Sequence, residues 1–412
     1  MGELMLKLRG RVSEISENRG TLGSELLYVT TRVDLPQGAR GKYALLLRSE
    51  DICGVSEDID GFGVILVLER DSGKNILLEA QGVVGLVPAY LLPNDYSYLA
   101  EGDIVRITPE SERISVVFRR NTPNNSILLT EQCNHHCLMC SQPPKNVDDS
   151  WLLEEANALL QMIPRDTENI GFTGGEPTLY GDGFISLVAA AKVNLPNTSL
   201  DVLSNGRAFS DRNFAAKLAA VGHPDFQIGI PLYSDDPVTH DFVVQSRGAF
   251  DETLKGILNL KQLGVRVEIR FVIHKQTLPR LVKTCEFIAR NLLFVDHVAL
   301  MGLEIAGFAR ANLDTLWVDP FDYKDELSTA VEVLKSSGLR ISVYNHQLCV
   351  VNHDVERECR KAISDWKNEY LPECAGCAKR GVCGGFFSTQ VQYRHSDHIA
   401  PFLDDVHSAR LQ

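Results

Sequence analysis

From residue 126 onwards, short apolar segments alternate with longer ones whose apolar residues recur every three or four positions, as at Leu254, Ile257 and Leu258. The first pattern predicts strands and the second predicts amphipathic helices. Strands are predicted at 126–130, 169–173, 199–203, 226–233, 266–273 and 297–303. Helices are predicted at 151–163, 182–193, 211–221, 250–263, 277–291 and 321–337. Alternation of this kind is typical of parallel strands joined by right-handed helical crossovers.

Six strand–helix units are fewer than the eight that close a full barrel. We therefore predict an α/β fold whose central domain, residues 126–344, is an open, partial (β/α)6 barrel. Residues 339–344 are the candidate for a seventh strand. Active sites in such folds form at the C-terminal ends of the strands, so motifs that follow strands are the candidates for function.

Residues 1–118 have a different pattern, in which short strands are separated by turn sequences such as Asn-Arg-Gly and Asp-Ser-Gly. We predict a β-rich N-terminal domain there, built as a small antiparallel sheet or a barrel. The polar segment 119–125 contains a proline and is the predicted domain boundary. This domain either recognises the substrate or has a purely structural role.

The ten cysteines of the chain are unevenly distributed, because six of them lie in the two windows 133–140 and 374–383. The chain starts without the apolar run of a signal peptide, and no uncharged apolar segment approaches 18 residues. We therefore expect a cytoplasmic protein with reduced thiols and no membrane span, in which clustered cysteines indicate metal or redox chemistry. The net charge of −13 argues against a nucleic-acid partner.

The first cluster, Cys133, Cys137 and Cys140, has the spacing C-x3-C-x2-C directly after the first predicted strand of the barrel. Four thiolates complete the ligand set of a 4Fe–4S cluster, so three leave one iron open to another ligand. An open coordination position is typical of catalytic metal sites. The alternatives are a zinc site that includes His135 or His136, and ordinary buried thiols.

Two later strands end in motifs that suit a ligand. The second is followed by Gly174-Gly175-Glu176-Pro177, where glycines permit a close backbone approach and the carboxylate can accept hydrogen bonds from an ammonium group. The third is followed by Ser204 and Asn205, whose side chains can bind hydroxyl groups. Either motif could instead be a plain turn.

With these motifs the chain resembles the radical S-adenosylmethionine (SAM) superfamily, whose signature is this cysteine spacing in this loop of a partial barrel. The resemblance implies that the three cysteines hold a 4Fe–4S cluster whose open iron binds SAM. Reductive cleavage of SAM would then yield methionine and a 5′-deoxyadenosyl radical that abstracts hydrogen from the substrate. The residue before the last cysteine is usually aromatic in this family, whereas here it is Met139.

The resemblance also implies a set of SAM contacts. The main chain of Met139 would meet the adenine, and Gly174, Gly175 and Glu176 would hold the methionine amino group. The expected ribose, carboxylate and adenine contacts after the later strands are Ser204, Asn205, Ser234, Arg247 and Leu303. For Arg247 the alternative is a solvated loop residue, and for Leu303 it is an ordinary strand end.

The second cluster, Cys374, Cys377 and Cys383, has the spacing C-x2-C-x5-C. Cys349 is the natural fourth ligand, with Cys359 as its competitor. Four thiolates suit either a second 4Fe–4S cluster or a zinc ion. We predict that residues 345–412 form a C-terminal auxiliary-cluster cap, and that Cys53 and Cys285 are core residues.

Four phrases, at 137–144, 302–314, 363–370 and 383–387, resemble the C-type radical SAM maturases of the His-Xaa-Ser system. That resemblance implies post-translational modification of a peptide or small protein with His-Xaa-Ser repeats. It also implies a companion radical SAM maturase and an electron donor such as flavodoxin or ferredoxin. The alternatives are a radical SAM enzyme for a small molecule and a zinc-bearing binding scaffold.

Overall fold

The computed structural model describes residues 8–14, 25–48, 59–68, 87–362 and 368–403. Cys53 and the first five residues of the phrase at 363–370 therefore lie outside the described residues. The chain divides into two compact units, Met1–Ser126 and Ile127–Gln412, and residues 345–403 belong to the second of them.

The strands belong to two eight-stranded sheets. They are β1 Arg9–Arg11, β2 Ser13–Glu14, β3 Glu25–Thr30, β4 Tyr43–Leu47, β5 Val64–Leu68, β6 Ala89–Leu92, β7 Ile104–Thr108, β8 Arg113–Phe118, β9 Asn124–Thr130, β10 Asn169–Gly174, β11 Ser199–Leu203, β12 Phe226–Pro231, β13 Arg266–Ile273, β14 His297–Gly302, β15 Ile341–Tyr344 and β16 Cys359–Arg360.

The α-helices of the described residues all follow β9. They are α1 Trp151–Met162, α2 Asp182–Asn194, α3 Arg212–Val221, α4 Pro237–Val244, α5 Ala249–Gln262, α6 Leu281–Asn291, α7 Gly307–Ala311, α8 Leu313–Leu316, α9 Lys324–Ser336 and α10 Ser388–Tyr393. Short 3-10 helices lie at Arg40–Lys42, Asn94–Tyr96, Pro109–Ser111, Pro177–Tyr180, Arg207–Ser210, Leu278–Arg280, Pro320–Tyr323, Leu348–Val350, Glu356–Glu358 and Pro372–Gly376.

The first sheet has the order β1-β8-β7-β3-β4-β5-β6-β2, and it is mixed rather than antiparallel. The pairs from β3 to β6 are parallel, whereas β7 pairs with β3 and β8 in antiparallel fashion. The prediction of an antiparallel sheet is therefore wrong for its centre. The physical reason is that each connection between β3 and β6 has a dozen residues or more, which is enough for a parallel crossover.

The centre of this sheet is buried on both faces. All five residues of β5 are buried, and alternate residues along it belong to two separate apolar clusters. Val64 and Leu66 pack in one cluster, and Ile65 and Val67 pack in the other. A continuous apolar run of this kind is typical of parallel strands, so the sequence of β5 already contained the signal.

The second sheet confirms the predicted α/β class with parallel strands. Its order is β9 to β16 in sequence, and every pairing from β10 to β16 is parallel. The candidate seventh strand is present as β15. The eighth, β16, has only two residues, which is too short for periodicity to predict.

Each central strand of this sheet has one face packed against helices. Val267, Ile269 and Phe271 of β13 are fully buried, and α5 packs on this strand. The intervening residues of β13 point to the opposite face. In the described part of the chain, no helix is long and apolar enough to cross a membrane.

Candidate active site

The first cysteine cluster lies on the loop that leaves β9. Cys133, Cys137 and Cys140 are all free and partly buried. Burial, with smaller contributions from the neighbouring charges of Glu176 and Cys140, raises the pKa of Cys133 to about 11. Burial also raises the pKa of Cys137 and Cys140, and the other two thiols add to the rise at Cys137. The three thiols are therefore near enough to one another for their charges to interact, and burial favours their neutral form.

Asp149 anchors the start of this loop. It is 3 % exposed, and its carboxylate accepts hydrogen bonds from the Thr130 hydroxyl, the Glu131 amide, the Gln132 side chain and the Tyr180 hydroxyl. Sequence reasoning missed Asp149, because the segment Asp148-Asp149-Ser150 has the composition of an ordinary helix start.

The other end of the loop is held by residues far along the chain. The Phe308 amide donates to the carbonyl of Cys140 (2.8 Å), and the Asn312 side chain donates to the carbonyl of Leu138 (2.9 Å). Gly307 has a φ of 52°, and a Cβ there would overlap the carbonyl oxygen of Cys140. A glycine is therefore required where α7 meets the cysteine loop.

The two glycines after β10 serve a similar contact at the start of the loop. The Gly175 amide donates to the carbonyl of Thr130 (2.7 Å), and the Glu176 amide donates to that of Gln132 (2.7 Å). A Cβ on Gly174 would overlap the Thr130 carbonyl, and a Cβ on Gly175 would overlap the Gln132 carbonyl. The glycines therefore let the end of β10 lie directly against the loop that carries the thiols.

Glu176 connects the end of β10 to the end of β11. It is 1 % exposed. One carboxylate oxygen accepts from the amide and hydroxyl of Thr178 and from the Ser204 hydroxyl, and the other accepts from the Asn205 amide (2.6 Å). Burial raises the pKa of Glu176, and these hydrogen bonds act in the opposite direction. The Asn205-bound oxygen has accepted one bond and retains capacity for another donor.

Asn205 also connects β11 to the cysteine loop. Its amide group donates to the side-chain oxygen of Asn134 (2.6 Å). Arg207 lies beside this pair, with Nε 2.5 Å from Glu252 and Nη1 2.8 Å from the Ser246 hydroxyl. Sequence reasoning did not single out Asn134 or Arg207, because these contacts join segments about 40 to 70 residues apart.

The remaining predicted SAM contacts lie in different environments. Met139 and Leu303 are buried in one apolar cluster that also contains Tyr233. Ser234 is fully buried, and its hydroxyl accepts from the Asp236 amide just before α4. Arg247 is exposed on the loop between α4 and α5.

The second cysteine cluster surrounds a pocket. Its lining includes four thiols, the aromatic rings of Tyr370, Phe386 and Phe402, and two basic side chains. The thiols are those of Cys349, Cys374, Cys377 and Cys383. Cys359 is not part of the lining; it lies on β16, where burial and then the nearby Cys383 raise its pKa to about 12.

The donor set of both clusters is sulfur. Across the described ranges, no three Cys, His, Asp or Glu side chains converge closely enough to hold a single metal ion. An iron–sulfur cluster places its thiolate ligands around a larger body than one ion does. The all-thiolate donor sets suit an iron–sulfur cluster, and thiolates are also ligands of zinc.

Comparisons with known proteins agree with this arrangement. A family profile described as the radical SAM superfamily matches residues 127–288. Fe-coproporphyrin III synthase of Methanosarcina barkeri is 32 % identical over 153 residues, covering 36 % of this chain and 36 % of that protein. Pre-heme d1 synthase of Dinoroseobacter shibae is 29 % identical over 197 residues, covering 44 % of this chain and 46 % of that protein.

Among solved structures, Streptococcus suis SuiB bound to S-adenosylmethionine has a TM-score of 0.45 and 16 % sequence identity. The match covers 54 % of this chain and 50 % of that chain. The chain spans less than half the length of either curated relative named above.

Proposed function

We propose, from the match of a radical SAM superfamily profile to residues 127–288, that the chain is a radical SAM enzyme that modifies a peptide. The observation that carries the proposal is the placement of Cys133, Cys137 and Cys140 on one loop at the C-terminal edge of a parallel sheet. The ends of β10 and β11 are hydrogen-bonded to that same loop.

In this proposal each residue group has a separate task. The three thiols hold a 4Fe–4S cluster, and the segment Gly174–Glu176 faces the methionine end of SAM. Together the cluster and SAM supply, when bound, reductive cleavage to a 5′-deoxyadenosyl radical. Asp149, Asn134 and the α7 segment keep the loop in position, while Met139 and Leu303 supply an apolar surface beside it.

We assign a second 4Fe–4S cluster to the C-terminal pocket, with Cys349, Cys374, Cys377 and Cys383 as its ligands. All four line one pocket together with the aromatic residues Tyr370, Phe386 and Phe402. Zinc remains the competing occupant. The metal and sulfide content of the purified protein distinguishes the two.

A peptide with His-Xaa-Ser repeats is the proposed substrate, together with a companion maturase and a flavodoxin or ferredoxin as electron donor. The support is the sequence resemblance of the four phrases to maturases of that system. A small-molecule substrate is the second candidate. It is favoured by the relatives whose names refer to haem or coproporphyrin synthesis. Each of these matches covers between 36 % and 56 % of the two proteins compared.

The decisive experiment is anaerobic reconstitution with iron and sulfide, followed by reduction in the presence of SAM. We expect release of 5′-deoxyadenosine from the wild type. Replacement of Cys133, Cys137 or Cys140 by Ala should abolish this release. Cys285→Ala is the matched control, because Cys285 is buried on α6 and belongs to neither cysteine cluster. Cleavage that survives loss of the three thiols would refute the assignment.

The substrate is tested by co-expression with a His-Xaa-Ser repeat peptide and by incubation with coproporphyrin III. A mass change in the peptide that depends on Cys133 supports the peptide proposal. A change in the tetrapyrrole alone would replace it with the second candidate.

A further inference from the structure

The second sheet has an open face opposite its helices, which we call the inner face. It is formed by Asp201 and Leu203 of β11 and by residues in register with them on the neighbouring strands. Leu203 is 38 % exposed although β11 lies between two other strands, whereas Val202, on the opposite face, is fully buried. An exposed leucine at that position means that the inner face is accessible.

Arg270 of β13 lies on the inner face. Its Nη1 donates to Glu268 Oε1 at 3.0 Å, and its Nη2 lies 3.4 Å from the sulfur of Met301. The side chain extends over Gly229, where a Cβ would come within 3.0 Å of Arg270 Cδ. The guanidinium therefore reaches across the neighbouring strand, and its side chain is 29 % exposed.

Glu268 accepts a hydrogen bond from Arg270 and is itself positioned by His297. Glu268 Oε2 lies 2.7 Å from His297 Nδ1, and His297 Nε2 lies 3.0 Å from the Ser342 hydroxyl. The carboxylate is thus shared between Arg270 and His297. Asp201, another acidic side chain of this face, already accepts a 2.7 Å hydrogen bond from Asn169.

The Met301 sulfur that faces Arg270 Nη2 is a poor hydrogen-bond acceptor. A thioether sulfur accepts hydrogen bonds weakly, whereas a guanidinium presents a planar pair of donors that matches a carboxylate. An incoming carboxylate would therefore displace Met301 from Arg270 at little cost. Pro231 is in register with Arg270, and Val272 follows Arg270 by two residues on the same face of β13. Leu203 is in register with Gly229, over which the Arg270 side chain extends, so all three apolar side chains can contact the rest of the ligand.

We propose that Arg270 is the substrate-binding residue that recognises a carboxylate group, and that the inner face next to it holds the apolar part of the same substrate. This proposal rests on the proposed radical SAM function. The carboxylate belongs either to a peptide or to a small organic acid, and the two sources are separated by the experiment.

The test uses two pairs of probes with the reconstituted enzyme in isothermal titration calorimetry. One pair is a nine-residue His-Ala-Ser repeat peptide with a free C-terminal carboxylate and the same peptide with a C-terminal amide. The other pair is coproporphyrin III and its tetramethyl ester. We expect the wild type to bind the acid of one pair roughly tenfold or more tightly than its neutral form.

The variants are Arg270→Gln, Arg270→Lys and Arg266→Gln. Glutamine at 270 can still donate to Glu268 but carries no charge, so the preference for the acid should fall below about twofold, whereas lysine should retain part of it. Arg266 is the control, because it lies on the same face of β13 but at the other end of the strand, paired with Asp225. Arg266→Gln should keep the full preference.

The proposal is overturned if the wild type binds the acid no more tightly than the neutral form in either pair of probes. It is also overturned if Arg270→Gln still binds the acid more tightly. Release of 5′-deoxyadenosine by the same wild-type preparation is measured separately. A preparation that cleaves SAM without an acid preference refutes only the carboxylate site. A preparation that binds the acid preferentially but does not cleave SAM supports the carboxylate site and refutes the radical SAM function.

Discussion

Glu176 is the residue at which the ends of two strands meet, because a single buried carboxylate accepts four hydrogen bonds from Thr178, Ser204 and Asn205. Glu176→Gln replaces one acceptor oxygen with an NH2 group that faces other donors. We expect a loss of about 1–3 kcal/mol in the free energy of unfolding, measured by urea denaturation. The exposed Glu168→Gln should have no effect. Equal stability of the two variants would contradict this role for Glu176.

The buried His346 is expected to make the folding stability of the protein depend on pH. It is fully buried between the Tyr323 hydroxyl and the Tyr344 carbonyl, and burial lowers its pKa to about 4. In the unfolded chain its pKa is about 6.5. Its contribution is therefore complete above pH 6.5 and decreases as the pH falls towards 4, by about 2 kcal/mol at pH 5.

The measurement is the thermal unfolding midpoint of wild type and variants between pH 7.5 and pH 5. His346→Gln should show a smaller decrease over this range than the wild type. The exposed His353→Gln should match the wild type. An unchanged slope in His346→Gln would show that His346 does not bind a proton on unfolding.

Among single residues, the cysteines of the first cluster could be predicted from the sequence, whereas the residues that hydrogen-bond to their loop could not. The spacing of Cys133, Cys137 and Cys140 is local, so it can be recognised in the sequence alone. Asp149 and Asn312 act on the same loop from 17 and 174 residues away, and no local pattern encodes such contacts.

The contact between the end of β10 and the cysteine loop depends on Gly175. Gly175→Ala places a methyl group on the Gln132 carbonyl oxygen, so one of the two segments must move. A displacement of about 1 Å near reacting groups can cost about 100-fold in rate. We expect a loss of this size in 5′-deoxyadenosine release, measured at saturating SAM. Gly38→Ala, which meets nothing within 4 Å, should leave the rate unchanged.

The 3-10 helix Leu348–Val350 places Cys349 at the C-terminal pocket, whereas Cys359 lies on β16. Cys349→Ser should therefore reduce the iron content of the reconstituted protein from about eight to about four atoms per chain. Cys359→Ser is the matched comparison and should retain about eight. Iron analysis of the two variants decides which thiol is the fourth ligand, and the opposite result would assign Cys359.

Most strands of the second sheet and the longer helices beside it could be predicted because each is long enough to show its period, whereas β16, α7 and α8 are too short. In the first sheet, the same reasoning did not predict the direction of the strands. Turn residues between its strands suggested hairpins, whereas the length of the connections and the uninterrupted apolar run of β5 are the features that accompany parallel pairing.

Across the whole molecule, the sequence correctly predicted the α/β class, and its resemblance to the radical SAM superfamily agrees with the profile match at residues 127–288. It did not identify the inner face of the second sheet. That surface is formed by single residues from several strands, such as Leu203, Arg270 and Met301, which become neighbours only through strand register. If Arg270 binds the substrate as proposed, substrate specificity depends on this register and therefore on the complete sheet.

The hydrogen bonds from Phe308 and Asn312 to the cysteine loop have a consequence for synthesis of the protein. During translation, Cys140 leaves the ribosome long before the residues that hold its loop have been made. A nascent chain or an engineered fragment that stops at residue 290 carries all three thiols without these supports. Under the proposed function, a cluster at these thiols would have its complete support only after α7 and α8 have been made, so a fragment designed to bind it should extend beyond Leu316.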